Sequence, residues 1–227
     1  MKLGVLFSGG KDSCAAMQKV RKAGQEVVCL LTMESDNPDS YMFHTPNINR
    51  AKLQAEAIGL PLITGKTPGE KEKELKELKL LIKKAKDEYD IEGITTGAVQ
   101  SRYQTERIQN ICDDLKLECI NPLWQIDQEE YINWLIDEGF EMSIIGIAAY
   151  PLDEKWLGKI IDKDFLKDLK KLNEKYKISL AGEGGEFESF VTYAPGWKGR
   201  VVIDETETEY ENHAGKWHII KAHIDSI

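Results

Sequence analysis

Between Val5 and Met17 an apolar strand runs through two adjacent glycines into a helix. Val5, Leu6 and Phe7 supply the strand, Gly9 and Gly10 the turn, and Ala15, Ala16 and Met17 the first helical turns. Glycine admits the positive φ values that let successive backbone N–H groups point at one anion, and the helix N-terminus adds partial positive charge. An anion site is therefore expected between Ser8 and Ser13.

The same strand-to-helix rhythm recurs along the chain. Glu26 to Leu31 is a nearly unbroken apolar run of the kind that both faces of a parallel sheet bury, and Asn49 to Ile58 reads as a helix stopped by Gly59 and Pro61. Pro61 to Thr64 gives another strand. In the charge-dense stretch from Glu70, Leu75, Leu78, Ile82, Ala85 and Tyr89 recur at helical spacing. Ile91 to Gly97 and Cys119 to Asn121 are strands flanking a helix from Gln104 to Leu115. Such repeats predict an α/β fold, a doubly wound parallel sheet whose ligands sit at the carboxyl ends of the strands. That rule gathers Ser8 to Ser13, Thr32, Met33, Gly97 and Ala98 around one crevice.

After Trp124 the pattern changes. Asp127 to Glu130 resembles a capping box opening a helix that Gly139 ends, Met142 to Ala149 is a strand, and Asp164 to Tyr176 is a second amphipathic helix. Arg200 to Glu211 and Lys216 to Ile224 alternate around Asn212-His213-Ala214-Gly215 as a hairpin. The expected division is residues 1–124 as a nucleotide-binding domain and 125–227 as a smaller α+β lobe.

Which anion the first loop holds depends on detail. A Walker loop needs a hydroxyl after its lysine, yet Asp12 follows Lys11, and the first Walker glycine would fall on Val5. The spaced glycines of the Rossmann fingerprint are missing too. Ser8-Gly9-Gly10-Lys11-Asp12-Ser13 instead matches the PP-loop of the ATP pyrophosphatases, which cut ATP between its α- and β-phosphates. On that match two hydroxyls and several amides donate to the departing pyrophosphate, Lys11 offsets its charge, and Asp12 holds Mg2+ or orients a phosphate. The plain alternative is a glycine turn in which Ser8 or Asp12 caps the helix.

Composition narrows the partners. A formal net charge of −9, with 41% hydrophobic and 30% charged residues, argues for a globular chain and against a general grip on nucleic acid. Cys14, Cys29, Cys112 and Cys119 show no CxxC spacing and read as buried thiols of a reducing compartment. The N-terminal apolar run is too short for a signal peptide or a membrane span, so a cytoplasmic protein is expected.

A second informative stretch is AGEGGEFESFVTY at 181–193, where Glu183, Glu186 and Glu188 stand among glycines ahead of an apolar strand. Clustered carboxylates there suit a cation or an amine, or else a solvated turn. With SGGKDS, GAVQSRYQTERIQNIC, PLW at 122–124, GFEMSIIGIAA at 139–149, LGKIID at 157–162 and GEGGEFESF, the chain to about residue 197 resembles the diphthine–ammonia ligases. The resemblance implies an adenine nucleotide α-hydrolase-like sheet of the HUP type. It also implies ATP-dependent amidation of diphthine on elongation factor 2 through an acyl-adenylate, with ammonia as the nitrogen source. ATP and Mg2+ would serve the Ser8–Ser13 loop, with Lys11 and Asp12 catalytic. Glu183, Gly184, Gly185, Glu186 and Glu188 would meet the acceptor, its trimethylammonium group or the ammonia. The sequence carries no glutaminase pattern, so free ammonia is expected, and a homodimer stays open.

Four further residues are candidates for nucleotide or acceptor contact. Ser101 and Arg102 follow a strand end directly, His44 lies in the loop after the second strand, and Arg107 is equally readable as a helix-surface residue. His213, His218 and His223 belong to the hairpin and are expected to be non-catalytic. Two rival functions remain at this point: adenylation of a transfer RNA base by a PP-loop enzyme, and a non-catalytic ATP-binding module.

Overall fold

The computed structural model describes residues 1–35, 50–68 and 74–227. Its first sheet holds five parallel strands, β1 (Lys2–Leu6), β2 (Glu26–Ser35), β3 (Leu62–Thr67), β4 (Gly93–Thr95) and β5 (Glu118–Ile120), in the order β3-β2-β1-β4-β5. Helices α1 (Lys11–Lys22), α2 (Ala51–Ile58), α3 (Glu74–Tyr89) and α4 (Arg102–Leu115) alternate with these strands. Period-two alternation divides the strand side chains between two cores. Leu3, Val5 and Leu30 pack with Ala15, Met17 and Ile58 of α1 and α2, whereas Cys29, Leu31 and Ile94 pack with Leu78, Ile82, Ile108 and Cys112 of α3 and α4. Helices thus cover both faces, as a doubly wound sheet requires.

The second sheet is antiparallel: β6 (Glu141–Ala148), β7 (Phe187–Tyr193), β8 (Gly199–Glu211) and β9 (Ala214–Ser226), in the order β7-β6-β9-β8. Helices α5 (Gln128–Asp137) and α6 (Lys163–Tyr176) accompany it. Tyr131 and Leu135 of α5, Phe165 and Leu169 of α6, and Ile144 and Val191 of the sheet join the cluster that holds Leu3, Val5 and Met17. The α1/α2 face of the first sheet and the second sheet therefore share one continuous core.

Several boundaries move from their sequence expectations. β2 runs to Ser35 because its pairing with β3 continues to Ser35 opposite Thr67. α4 starts at Arg102, its N-cap being Ser101, whose side chain accepts from Gln104 N. The hairpin turn shortens to Asn212 and His213, both with positive φ, and β9 already begins at Ala214. At α5 the expected cap forms, with Asp127 Oδ1 accepting from Glu130 N at 2.9 Å.

Candidate active site

Strand order places the site. From β1 the chain builds outward through β2 and β3, then returns to the other flank of β1 for β4 and β5. The crevice beyond the carboxyl ends of β1 and β4 is the switch point of the sheet, where such folds take their ligands. Residues 8–13 lie there. The loop after β4 approaches so closely that a Cβ on Gly97 would stand 2.6 Å from the Asp12 carbonyl carbon. Ala98 is buried behind it and donates its N–H to Thr96 Oγ1 at 3.2 Å.

The loop braces itself with its two serines. Ser8 Oγ donates to Ser13 Oγ at 3.3 Å, and Ser13 Oγ contacts the Gly10 carbonyl at 3.1 Å. The N-cap of α1 is Gly10 and makes no side-chain capping bond, so neither Ser8 nor Asp12 caps this helix. That removes the plain capping account of the motif. Gly9 has φ +80, and a Cβ there would fall 1.9 Å from Gln54 Oε1.

The second sheet and α2 hold this loop from outside. Val191 N donates to the Gly9 carbonyl at 3.1 Å, and Lys11 N donates to Ser189 Oγ at 3.1 Å. Gln54, fully buried on α2, donates through Nε2 to the carbonyls of Gly9 (2.9 Å) and Val191 (2.7 Å). β7 is thus tied to the glycine loop by two direct hydrogen bonds and by the Gln54 bridge.

Charge is concentrated at the first turn of α1. The Lys11 side chain is 5% exposed and its Nζ lies 2.9 Å from both carboxylate oxygens of Asp12. Tyr131 OH donates to Asp12 Oδ1 at 2.7 Å. The ammonium also sits 5.7 Å from the Phe187 ring centroid. The buried ammonium is thus held between one carboxylate and one ring face.

The 181–188 segment joins this cluster through Glu183. Its carboxyl is pushed up to about 7, first by burial and then by the charge of Asp12, while Lys11 and the Gln100 N–H act in the opposite direction. Glu186 plays another part: its carboxylate accepts from Ser179 N at 3.0 Å and Gly184 N at 2.8 Å, closing the turn that contains exposed Gly184 and Gly185. Glu188 stands in register with Gly146 and, one strand further, Lys216. Burial also pushes its carboxyl up to about 7, against the pull of Lys216 and Lys11.

The remaining candidates are dispersed. Thr32 is buried and donates to the Phe7 carbonyl at 2.5 Å, bracing the strand that feeds the loop. Met33 belongs to the α3/α4 core with its sulfur over Gly65. Ser101 is occupied as the α4 cap, and Arg102 is exposed on the first turn after it. Arg107 stacks on Tyr103 with 3.5 Å from guanidinium carbon to ring centroid, in a cleft lined also by Leu75 and Asp114. His44 lies outside the described residues. His213 is 3.0 Å from the Leu152 carbonyl, and His218 and His223 contact Glu209 and Asp204. Burial raises the Cys14 thiol far above its ordinary range, as suits a packing residue.

Gln54, Tyr131 and Ser189 are the site residues that the sequence reading missed. Gln54 carried a signal: Ala51, Gln54, Ala55 and Ile58 form one buried stripe, and a glutamine on such a stripe needs partners. Tyr131 and Ser189 carried none, since their partners lie 119 and 178 residues away.

Two family models match the chain, the diphthamide synthase N-terminal domain over residues 1–119 and the diphthamide synthase C-terminal domain over residues 127–224. Curated relatives named diphthine–ammonia ligase include those of Homo sapiens, 35% identical over 226 residues (91% of this chain, 84% of that protein), and Danio rerio, 37% identical over 229 residues (92% and 88%). The Schizosaccharomyces pombe protein of the same name is 34% identical over 91% of this chain, which spans 37% of that longer protein. Among solved structures, a predicted subunit of tRNA methyltransferase from Methanocaldococcus jannaschii overlaps 79% of this chain and 90% of its own at 19% identity and TM-score 0.43. The matches of both family models and the identity to full-length relatives establish that this chain belongs to the diphthamide synthase family.

Proposed function

We propose that this chain amidates diphthine on elongation factor 2, joining ammonia to the diphthine carboxylate and converting ATP to AMP and pyrophosphate. The observation that carries this reading is the pair of buried Lys11 and half-buried Asp12 on a glycine loop at the switch point, tied to β7 and within the electrostatic reach of Glu183. A diphthine carboxylate oxygen attacks the α-phosphorus, the bond to the β-phosphate bridge breaks, and pyrophosphate leaves. Lys11 would offset the charge that develops on it, with the N-terminus of α1 behind it. Ammonia then attacks the acyl carbon, the bond to AMP breaks, and the nitrogen loses one proton to solvent as the amide forms. Glu183 would offer its carboxyl group to the acceptor, whose trimethylammonium charge would favour the ionised form.

The donor set agrees with Mg2+. Among the described residues no group of three or more His, Cys, Asp or Glu could hold a metal by itself. Magnesium carried by a nucleotide needs only one or two protein carboxylates, with phosphates and waters completing its shell. Asp12 would supply that carboxylate, and the bound ion would offset phosphate charge. No helix among the described residues is long and apolar enough to cross a membrane.

The test is an assay with α-labelled ATP, magnesium and ammonium, with and without elongation factor 2 bearing diphthine. AMP formed only with the factor, together with a mass change on it of carboxylate to amide, supports the ligase. AMP formed with transfer RNA instead would replace this acceptor, and ATP binding without AMP would leave a nucleotide-binding module.

A further inference from the structure

Asp12 has two partners of unequal permanence. Lys11 is its chain neighbour and carries a flexible ammonium. Tyr131 comes from the second lobe, is 0% exposed, and delivers one hydroxyl proton to Oδ1. When a triphosphate enters the loop, Lys11 is drawn to it and Asp12 loses its counter-charge. The tyrosine ring has nowhere to go, because it is packed in the shared core with Leu135 and Phe165.

The helix that carries Tyr131 is fixed as well. Asp127 caps it, Lys170 pairs with Glu129 at 2.7 Å, and Gln128 Oε1 accepts from Ser179 Oγ at 2.9 Å and Ala181 N at 3.3 Å. The last two bonds tie α5 to the stretch leading into Glu183.

We propose that Tyr131 is the positioning residue for Asp12: its hydroxyl holds one carboxylate oxygen in place after Lys11 turns to the triphosphate, leaving the other oxygen to face the nucleotide's cation. This rests on the reading of residues 8–13 as the ATP loop, and on nothing about the acceptor.

The experiment is calorimetric titration of ATP into wild type, Tyr131→Phe, Asp12→Asn and the double variant, each with and without magnesium. Tyr131→Phe keeps the ring and removes only the donor. Metal-free ATP affinity is expected to stay within about twofold of wild type, while most of the tightening brought by magnesium, about tenfold or more, is lost, the scale of a hydrogen bond to a charged group. The double variant is expected to match Asp12→Asn alone, because the hydroxyl acts through that carboxylate. Full retention of the magnesium effect in Tyr131→Phe overturns the proposal, and so does an equal loss with and without magnesium, which marks a packing role. A wild-type chain that binds ATP yet amidates nothing would defeat the acceptor assignment and leave this one standing. A wild-type chain that binds no ATP overturns both.

Discussion

Lys11 and Glu188 illustrate how much at this site depends on single burials. An ammonium 5% exposed is costly unless a negative group faces it, and Asp12 fills that place. Lys11→Ala is expected to slow AMP formation by about 10²–10³-fold, the usual consequence of removing one preorganised charge-stabilising donor. Radiolabelled AMP release measures it. Glu188 makes a prediction about stability. Its carboxyl rises from the ordinary 4.5 to about 7 in the folded chain, so the native state binds that proton more tightly than the unfolded one. The resulting stabilisation is complete below pH 4.5 and is lost as pH rises through about 7. Glu188→Gln removes this contribution, so denaturant titrations across that range are expected to show a flatter pH dependence than wild type. An unchanged slope would refute the assignment.

The decisive element is β7, a strand of the second sheet that serves the first. Its backbone and Ser189 hold Gly9 and Lys11, and Gln54 closes the gap between strand and loop. Gln54→Ala leaves the Val191 carbonyl without that buried donor and is expected to lower the unfolding free energy by about 1–3 kcal/mol. ATP affinity should fall with it, because the same amide sets the position of Gly9. The loop after β4 offers a companion test. Since a Cβ on Gly97 would meet the Asp12 backbone at 2.6 Å, Gly97→Ala must push α1 away from β4. Destabilisation of about 1–3 kcal/mol and a clear loss of ATP binding are expected, read by chemical denaturation and calorimetry.

Across the whole molecule the two sheets are bound by one core as well as by the site. Leu3, Val5 and Met17 share a cluster with Tyr131, Ile144, Phe165 and Val191, so neither lobe is expected to unfold alone. Differential scanning calorimetry should show a single transition with agreeing calorimetric and van't Hoff enthalpies. A fragment of residues 1–124 would expose the α1/α2 face and lack both β7 and Tyr131. It is expected to bind no ATP even at concentrations that saturate the full chain.

The glycine turn between β1 and α1, the strand–helix alternation and the hairpin were legible in the sequence because each rests on neighbouring residues: glycine φ freedom, period-two or helical spacing, local caps. Glu183 was legible as a candidate for the same reason, its glycine surroundings lying within a few residues. The strand order, the extension of β2 at its carboxyl end to Ser35, and the separate duties of Glu183, Glu186 and Glu188 were not, since pairing and burial are decided by segments far apart in the chain. Nor could spacing announce that Ser189 and Tyr131 would close on Lys11 and Asp12. Local chemistry determined which residues form the glycine loop between β1 and α1. Only the packing of two sheets on one core decided which side chains hold that loop in place, because hydrogen bonds across more than a hundred residues leave no local pattern.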